Sequence, residues 1–195
     1  MIFYQKLRET VTGKIVIANI IMFVISFFCG ILSQESELIR LFALQPSNFH
    51  YYQLITHQFL HGGFFHLLFN MIGLYTIGKD VEKWLGSNFL VYYLFCGVYA
   101  AFFHLSISDS TNPMVGASGA IFGLLSIWTL LNPNQYLGII FLPIAIRAKY
   151  LTSLLIISEV LLQIYSKDNI SHLAHIGGFI CGLCIFFIQK FFNNR

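Results

Sequence analysis

The feature that most constrains this chain is a series of long apolar runs, each about the length of helix that crosses a bilayer. Roughly 20 residues of helix span the hydrocarbon core. Six segments qualify, at about Lys14–Leu32, Gly63–Gly78, Ser87–Leu105, Ala117–Leu131, Lys149–Tyr165 and His172–Phe192. Composition agrees: 57% of residues are hydrophobic and only 10% are charged, against roughly 25% charged in an average soluble domain. A soluble globule of 195 residues could not hide that much apolar surface. A soluble enzyme, a disordered tail and a nucleic-acid binder are therefore excluded. The expectation is an all-α polytopic membrane protein, a single domain over residues 1–195, whose main partner is the lipid bilayer itself.

Charge placement orients the spans. Lys6, Arg8, Lys14, Lys79, Lys83, Arg147, Lys149, Lys190 and Arg195 all fall on one side of a six-span chain, and only Arg40 and Lys167 on the other. The positive-inside bias then puts both termini in the cytoplasm. A long polar and aromatic first loop, about Ser33–Gly62, lies outside. No cleavable signal peptide is evident, because the first apolar run is too long for an h-region and no small-residue cleavage site closes it. Tyr136–Ile146 is apolar but short and holds Pro143, which reads as an interfacial segment after the Asn132-Pro-Asn-Gln break. Cys29, Cys96, Cys181 and Cys184 all lie in apolar runs. That argues against a disulfide framework and against reading Cys181-Gly-Leu-Cys184 as a redox motif.

Polar residues inside spans are costly, so each is a functional candidate. His66 and Asn70 share one face of the second span, being four apart. Ser118 opens the fourth span and His175 lies just inside the sixth. These spans run in the same direction, so His66, Ser118 and His175 lie at a similar shallow depth below the outer surface. Each alone could be a helix cap or a bonded core residue; the shared depth favours a site. Gly119 and Gly123, and Gly178 and Gly182, are small-xxx-small pairs that let the fourth and sixth spans approach closely. Packing Gly119 at the level of Gly178 leaves Ser118 and His175 within side-chain reach of one another, given a helical rise of about 1.5 Å per residue. A serine hydroxyl needs a base, and imidazole is the usual one. No carboxylate is an evident third member: Asp109 and Asp168 lie in loops, and Glu159, about ten residues into the fifth span, is open between a carboxyl hydrogen-bonded in the bundle, the favoured reading, and a catalytic one. The expectation is a Ser118–His175 dyad. Free backbone N–H groups at the start of the fourth span, with His66 and Asn70, can hold an oxyanion.

These residues resemble the rhomboid family of intramembrane serine proteases, most closely its compact six-span bacterial GlpG type. The matches are His66-Leu-Leu-Phe-Asn70, Glu82-Lys-Trp-Leu-Gly86, Gly116-Ala-Ser-Gly119, and Ala174-His-Ile-Gly-Gly178 followed by Gly182. The resemblance implies Ser118 as nucleophile, His175 as general base, and an oxyanion hole from His66, Asn70 and the Ser118 backbone. It implies cleavage of the transmembrane segments of single-span proteins and a bacterial inner-membrane location. It implies no cofactor, and His57 and His61 as structural histidines of the first loop. The chain differs from many relatives at Tyr52-Gln53, where they carry Trp-Arg, and at Phe122, where they carry a Tyr that stacks under the histidine. The long cytoplasmic N-terminal domain of some relatives is not expected here.

Other intramembrane chemistries fit less well. No His-Glu-x-x-His metal motif or Gly-x-Gly-Asp signature is present, and no catalytic metal is expected. Haem ligation across the bundle does not suit His57 and His61, which lie in or beside the loop. A transporter would place its polar site near the midplane, deeper than these residues. A catalytically silent rhomboid scaffold would lack Ser118 or His175.

Overall fold

The computed structural model describes residues 9–28, 37–138, 144–166 and 170–193. Its long helices are α1 (Val11–Phe28), α4 (Phe64–Leu85), α5 (Phe89–Ile107), α6 (Ser118–Leu131), α7 (Ala148–Tyr165) and α8 (His172–Asn193). By length and apolar composition, α1, the α4–α5 stretch, α7 and α8 can each cross a membrane, while α6 is a shorter apolar helix. Helix α4 continues two turns past the sequence-based end at Gly78, carrying Lys79, Asp80, Glu82 and Lys83 in its last turns. It stops at Gly86, whose φ of 59° is left-handed and suits glycine.

Two segments differ from the sequence reading. Within the stretch expected as a loop, α2 (Glu37–Phe42), α3 (Gln53–Thr56) and a 3-10 turn at His57–Phe59 form a folded layer. The segment Tyr136–Ile146, read as interfacial, is bounded by short strands that the sequence did not announce. Tyr136–Gly138 (β1) and Ala145–Arg147 (β2) pair antiparallel, so the chain is not purely helical. Residues 139–143, with Pro143, lie outside the described residues, as do Cys29, Lys167, Asp168 and the end of the first span at Leu32.

Close contacts set the helix directions. A Cβ added to Gly178 would overlap the carbonyl oxygen of Gly119, and one on Gly182 that of Gly123. Those pairs advance together, so α6 and α8 run parallel. Gly116 faces His66, and Gly73 faces Ile121, so α4 runs parallel to both. Ala100 abuts Gly119 and Cys96 abuts Gly123, so α5 runs the opposite way between them. Glycine is required where α6 and α8 touch, because backbone meets backbone there. The buried core lies along these central helices and includes Leu74, Tyr93, Leu124, Ile127 and Trp128. Trp128 Nε1 donates to Asp80 Oδ2 at 2.8 Å, tying α6 to the end of α4.

Helix α1 is docked by its first turn. The Glu82 carboxylate accepts from the Val11 and Thr12 N–H groups at 2.7 and 2.8 Å and from Thr12 Oγ1 at 2.6 Å. These amides have no partner within the helix, and the carboxylate also meets the positive end of the helix dipole. By contrast, α7 buries only Ala148 and Thr152 fully, and Leu154, Ile157, Leu161 and Ile164 remain exposed. It packs on α8 and α6 with fewer buried residues than any other long helix.

Candidate active site

Ser118 is the first residue of α6, and the chain reaches it through a strained approach. Gly116 has φ 125°, a conformation that other residues rarely adopt. A Cβ there would also come within 2.8 Å of His66 Nε2, while lying 3.7 Å from Ser118 Oγ. His66 and the Ser118 hydroxyl therefore border the same point. The Gly116 N–H donates to the His57 carbonyl at 2.9 Å, so the folded first loop holds the turn that aims the serine.

That loop is held by a buried polar network. Gln53, with no exposed surface, accepts at Oε1 from the His50 N–H at 3.0 Å and the Gln45 N–H at 3.4 Å. Its Nε2 donates to the Arg40 and Leu41 carbonyls at 3.2 and 2.9 Å. Tyr52 stacks on His50 with ring centroids 5.5 Å apart. The Tyr52-Gln53 pair thus binds the loop without the Trp-Arg of many relatives. His57 Nδ1 donates to the Gln53 carbonyl at 2.7 Å. Burial holds His57 down at about 4, partly offset by that bond. Burial, with His66 nearby, holds His61 down at about 3. Both rings are neutral structural elements at neutral pH.

Across the site, His175 Nε2 lies 2.7 Å from Ser118 Oγ. Phe122 stacks flat on the His175 ring, with centroids 4.5 Å apart and planes within 7°. A phenyl ring in that position fixes the imidazole by contact alone. The Gly62 N–H can only donate, and it reaches His66 Nδ1 at 3.4 Å. That weak bond favours the tautomer with its proton on Nε2, the nitrogen beside Gly116 and Ser118. Asn70 donates one amide hydrogen to the His66 carbonyl at 2.8 Å. It stands one turn before Gly73 on α4, as Ser118 stands one turn before Ile121 on α6. The Gly73–Ile121 contact therefore puts Asn70 level with Ser118.

A carboxylate does join this group, where spacing alone gave no evident third member. Glu159 of α7 points into the bundle, and its Oε2 accepts from His172 Nδ1 at 2.6 Å. The same oxygen lies 2.8 Å from His175 Nδ1. The line Ser118–His175–Glu159 thus joins α6, α8 and α7. Sequence spacing alone could not pair Glu159 with a residue on another helix; its isolation in an apolar span was the available signal. Glu159, His172 and His175 also bring three possible metal-ligand atoms within 4.8 Å of one another, a grouping that no local sequence motif announces.

A family model described as the rhomboid domain matches residues 48–190. The chain belongs to the rhomboid family. The rhomboid protease GluP of Bacillus subtilis is 29% identical over 188 residues, covering 92% of this chain and 34% of that protein. RHOMBOID-like protein 2 of Arabidopsis thaliana is 34% identical, covering 70% of this chain and 42% of that one. The mitochondrial presenilin-associated rhomboid-like protein of Bos taurus is 30% identical, covering 90% of this chain and 47% of that one. The chain thus spans less than half the length of each of these three rhomboid relatives. The matched region contains Ser118, His175, His66 and Asn70 together with Glu159. With its apolar helices, membership makes this rhomboid chain a multi-pass membrane protein.

Proposed function

We propose that the chain is an intramembrane serine endopeptidase of the compact six-span type, with both termini cytoplasmic, cutting transmembrane segments of single-span proteins near the outer face of the bilayer. The observation that carries this reading is the 2.7 Å contact between Ser118 Oγ and His175 Nε2. Imidazole Nε2 takes the hydroxyl proton as Oγ attacks the peptide carbonyl carbon. The same nitrogen then gives that proton to the leaving amine, and water hydrolyses the acyl-enzyme by the reverse path. Glu159 beside Nδ1 favours the tautomer whose Nε2 is free to accept, and stabilises the imidazolium that forms. On this reading the Ser118 backbone N–H, His66 Nε2–H and the second amide hydrogen of Asn70 would donate to the oxyanion.

The short length of α6 supports a submerged site. Its 14 residues extend only about 21 Å, less than the roughly 30 Å hydrocarbon core. A serine at its first residue therefore starts below the surface. A scissile bond presented there must leave its helix, because a helical carbonyl is bonded and packed round by side chains. Small or helix-breaking residues near the outer end of a substrate helix should therefore promote cleavage.

The test is cleavage of a transmembrane model substrate by the chain reconstituted in vesicles, with fluorophosphonate labelling of Ser118. Ser118→Ala and His175→Ala should each abolish cleavage while the protein stays folded by circular dichroism. Near-normal cleavage by Ser118→Ala would refute the reading.

A further inference from the structure

We propose that Glu159, His172 and His175 form a site for a divalent metal of the zinc class, and that the bound ion switches the protease off by occupying a nitrogen of its general base. The metal-binding half stands on the cluster alone. The switching half rests on the reading of His175 as the base.

Geometry carries the binding half. His172 and His175 are one turn apart on α8 and face Glu159 on α7. Both Nδ1 atoms converge on a single carboxylate oxygen, at 2.6 and 2.8 Å. The buried His175 Nδ1 lies close to Oε2 yet makes no aligned hydrogen bond. The three ligand atoms thus lie within 4.8 Å of one another, with only the His172 contact an aligned hydrogen bond. Two imidazoles and a carboxylate are a donor set that zinc accepts readily. Zinc holds such atoms at about 2.0–2.2 Å, so tetrahedral ligands stand roughly 3.3 Å apart. To bind the ion, the contacts at 2.6 and 2.8 Å must lengthen by roughly 0.5–0.7 Å through rotation of the Glu159 carboxylate.

Access is built in. A cavity of about 110 Å³ lies against the ends of α5 and α7 and is lined by Ser108, Asn112, Gln163, Ser166, Ser171 and His172. It brings polar, hydratable surface to the edge of the cluster and has room for water to complete the coordination.

The chemistry of the imidazole supplies the switch. A metal on Nδ1 takes that lone pair, and the neutral ring's single proton moves through water from Nδ1 to Nε2, where it faces Ser118 Oγ. An Nε2–H cannot accept the hydroxyl proton, so the nucleophile stays unactivated although the dyad is intact. Metal occupancy also takes the Glu159 charge from the imidazolium it would otherwise stabilise.

The experiment uses the full chain in detergent micelles, titrated with Co²⁺ as a spectroscopic probe and then Zn²⁺. The expected result is one equivalent of bound Co²⁺ with visible ligand-field absorption and no thiolate charge-transfer band, displaced by Zn²⁺. Ser118→Ala should bind equally well. His172→Phe, His172→Asn and Glu159→Gln should each weaken binding by at least about 10- to 100-fold, a cost that even supporting groups show, with thermal melts excluding misfolding. Zn²⁺ should inhibit cleavage and EDTA should restore it. The half-inhibitory Zn²⁺ concentration, taken against each variant's own metal-free rate, should rise by the same factor as the binding constant. Unchanged binding in the His172 variants, or a thiolate band, overturns the site. Full occupancy without inhibition overturns the switch. A wild-type chain that binds Co²⁺ through these residues but neither cleaves nor labels at Ser118 keeps the site and refutes both the protease reading and the switch.

Discussion

Gly178→Ala is the perturbation that most directly tests how the fold makes the site. The added methyl would overlap the Gly119 carbonyl oxygen and press on its Cα, and both are backbone atoms. No side-chain rotation relieves that contact, so α6 and α8 must separate by roughly 1 Å or more, at about 1–3 kcal/mol for overpacking. Ser118 directly precedes Gly119, and His175 stands one turn before Gly178. The separation therefore falls on the 2.7 Å contact between Ser118 and His175 and stretches it beyond hydrogen-bonding range. A misplacement of about 1 Å can cost on the order of 100-fold in rate. Gly182→Ala overlaps Gly123 in the same way, but about 6 Å deeper. It should lower stability as much and the rate less. Gly138→Ala meets nothing within 4 Å and is the neutral control. The assay pairs thermal unfolding in micelles with single-turnover cleavage in vesicles at a temperature where every variant is folded. Wild-type stability and rate in Gly178→Ala would refute the close-packing argument. A stability loss with no loss of rate would break the link from helix spacing to the dyad.

Other expectations follow from particular contacts. His66→Ala and Asn70→Ala should each reduce turnover by roughly 10- to 1,000-fold, the cost of an oxyanion donor, and should lower Ser118 labelling less than His175→Ala does; equal loss of labelling in all three would mark a structural role. Glu82→Ala removes three charge-assisted bonds to the start of α1 and should cost several kcal/mol at about 1.5–3 kcal/mol per bond, read as a lowered midpoint in a micelle melt. His57 stays neutral in the fold down to about pH 4, whereas the unfolded chain binds that proton near pH 6.5, so stability should fall by up to about 3 kcal/mol as pH drops through that window; His57→Gln should flatten the dependence. A disulfide tying the outer half of α7 to α4 should stop cleavage of transmembrane substrates while sparing small-probe labelling of Ser118, if α7 is the lateral gate; an uncrosslinked rate of cleavage would put the gate elsewhere.

Much of this structure was legible because a membrane imposes few options. Apolar length gave the helices to within a few residues, and α4 was underestimated only because its last turns carry charge beyond Gly78. The meeting of Ser118 with His175 followed from two glycine pairs and the helical rise, both local properties. What escaped was tertiary. Glu159 lies in α7, and no spacing rule links it to the His172-x-x-His175 face of α8. Gln53 reads as an ordinary loop residue until its four backbone partners come together. The β1–β2 pair was hidden because Tyr136–Ile146 has neither the length nor the alternation of a clear strand.

The helices that build the site differ in how firmly they are held, and that difference has a functional direction. Ser118 and His175 sit on α6 and α8, whose glycines bring backbone against backbone. The first loop adds a second restraint, running from Gln53 through His57 to the Gly116 N–H and so to the turn before Ser118. Ser118 and His175, the proposed nucleophile and base, thus have little freedom to drift. Glu159 comes from α7, the long helix with the fewest buried residues, which meets α8 through the His172 and His175 contacts and α6 through the Thr129–Thr152 hydroxyl pair. Outward movement of α7 would admit a substrate helix from the side and withdraw Glu159 from the base at the same time. On the proposed mechanism, cleavage would then require α7 to return, or the substrate to settle, before His175 regains the carboxylate that supports its charge. A loosely packed helix that carries one positioning group can in this way couple lateral entry to activation, while the rigid pair α6–α8 keeps the reacting atoms in register throughout.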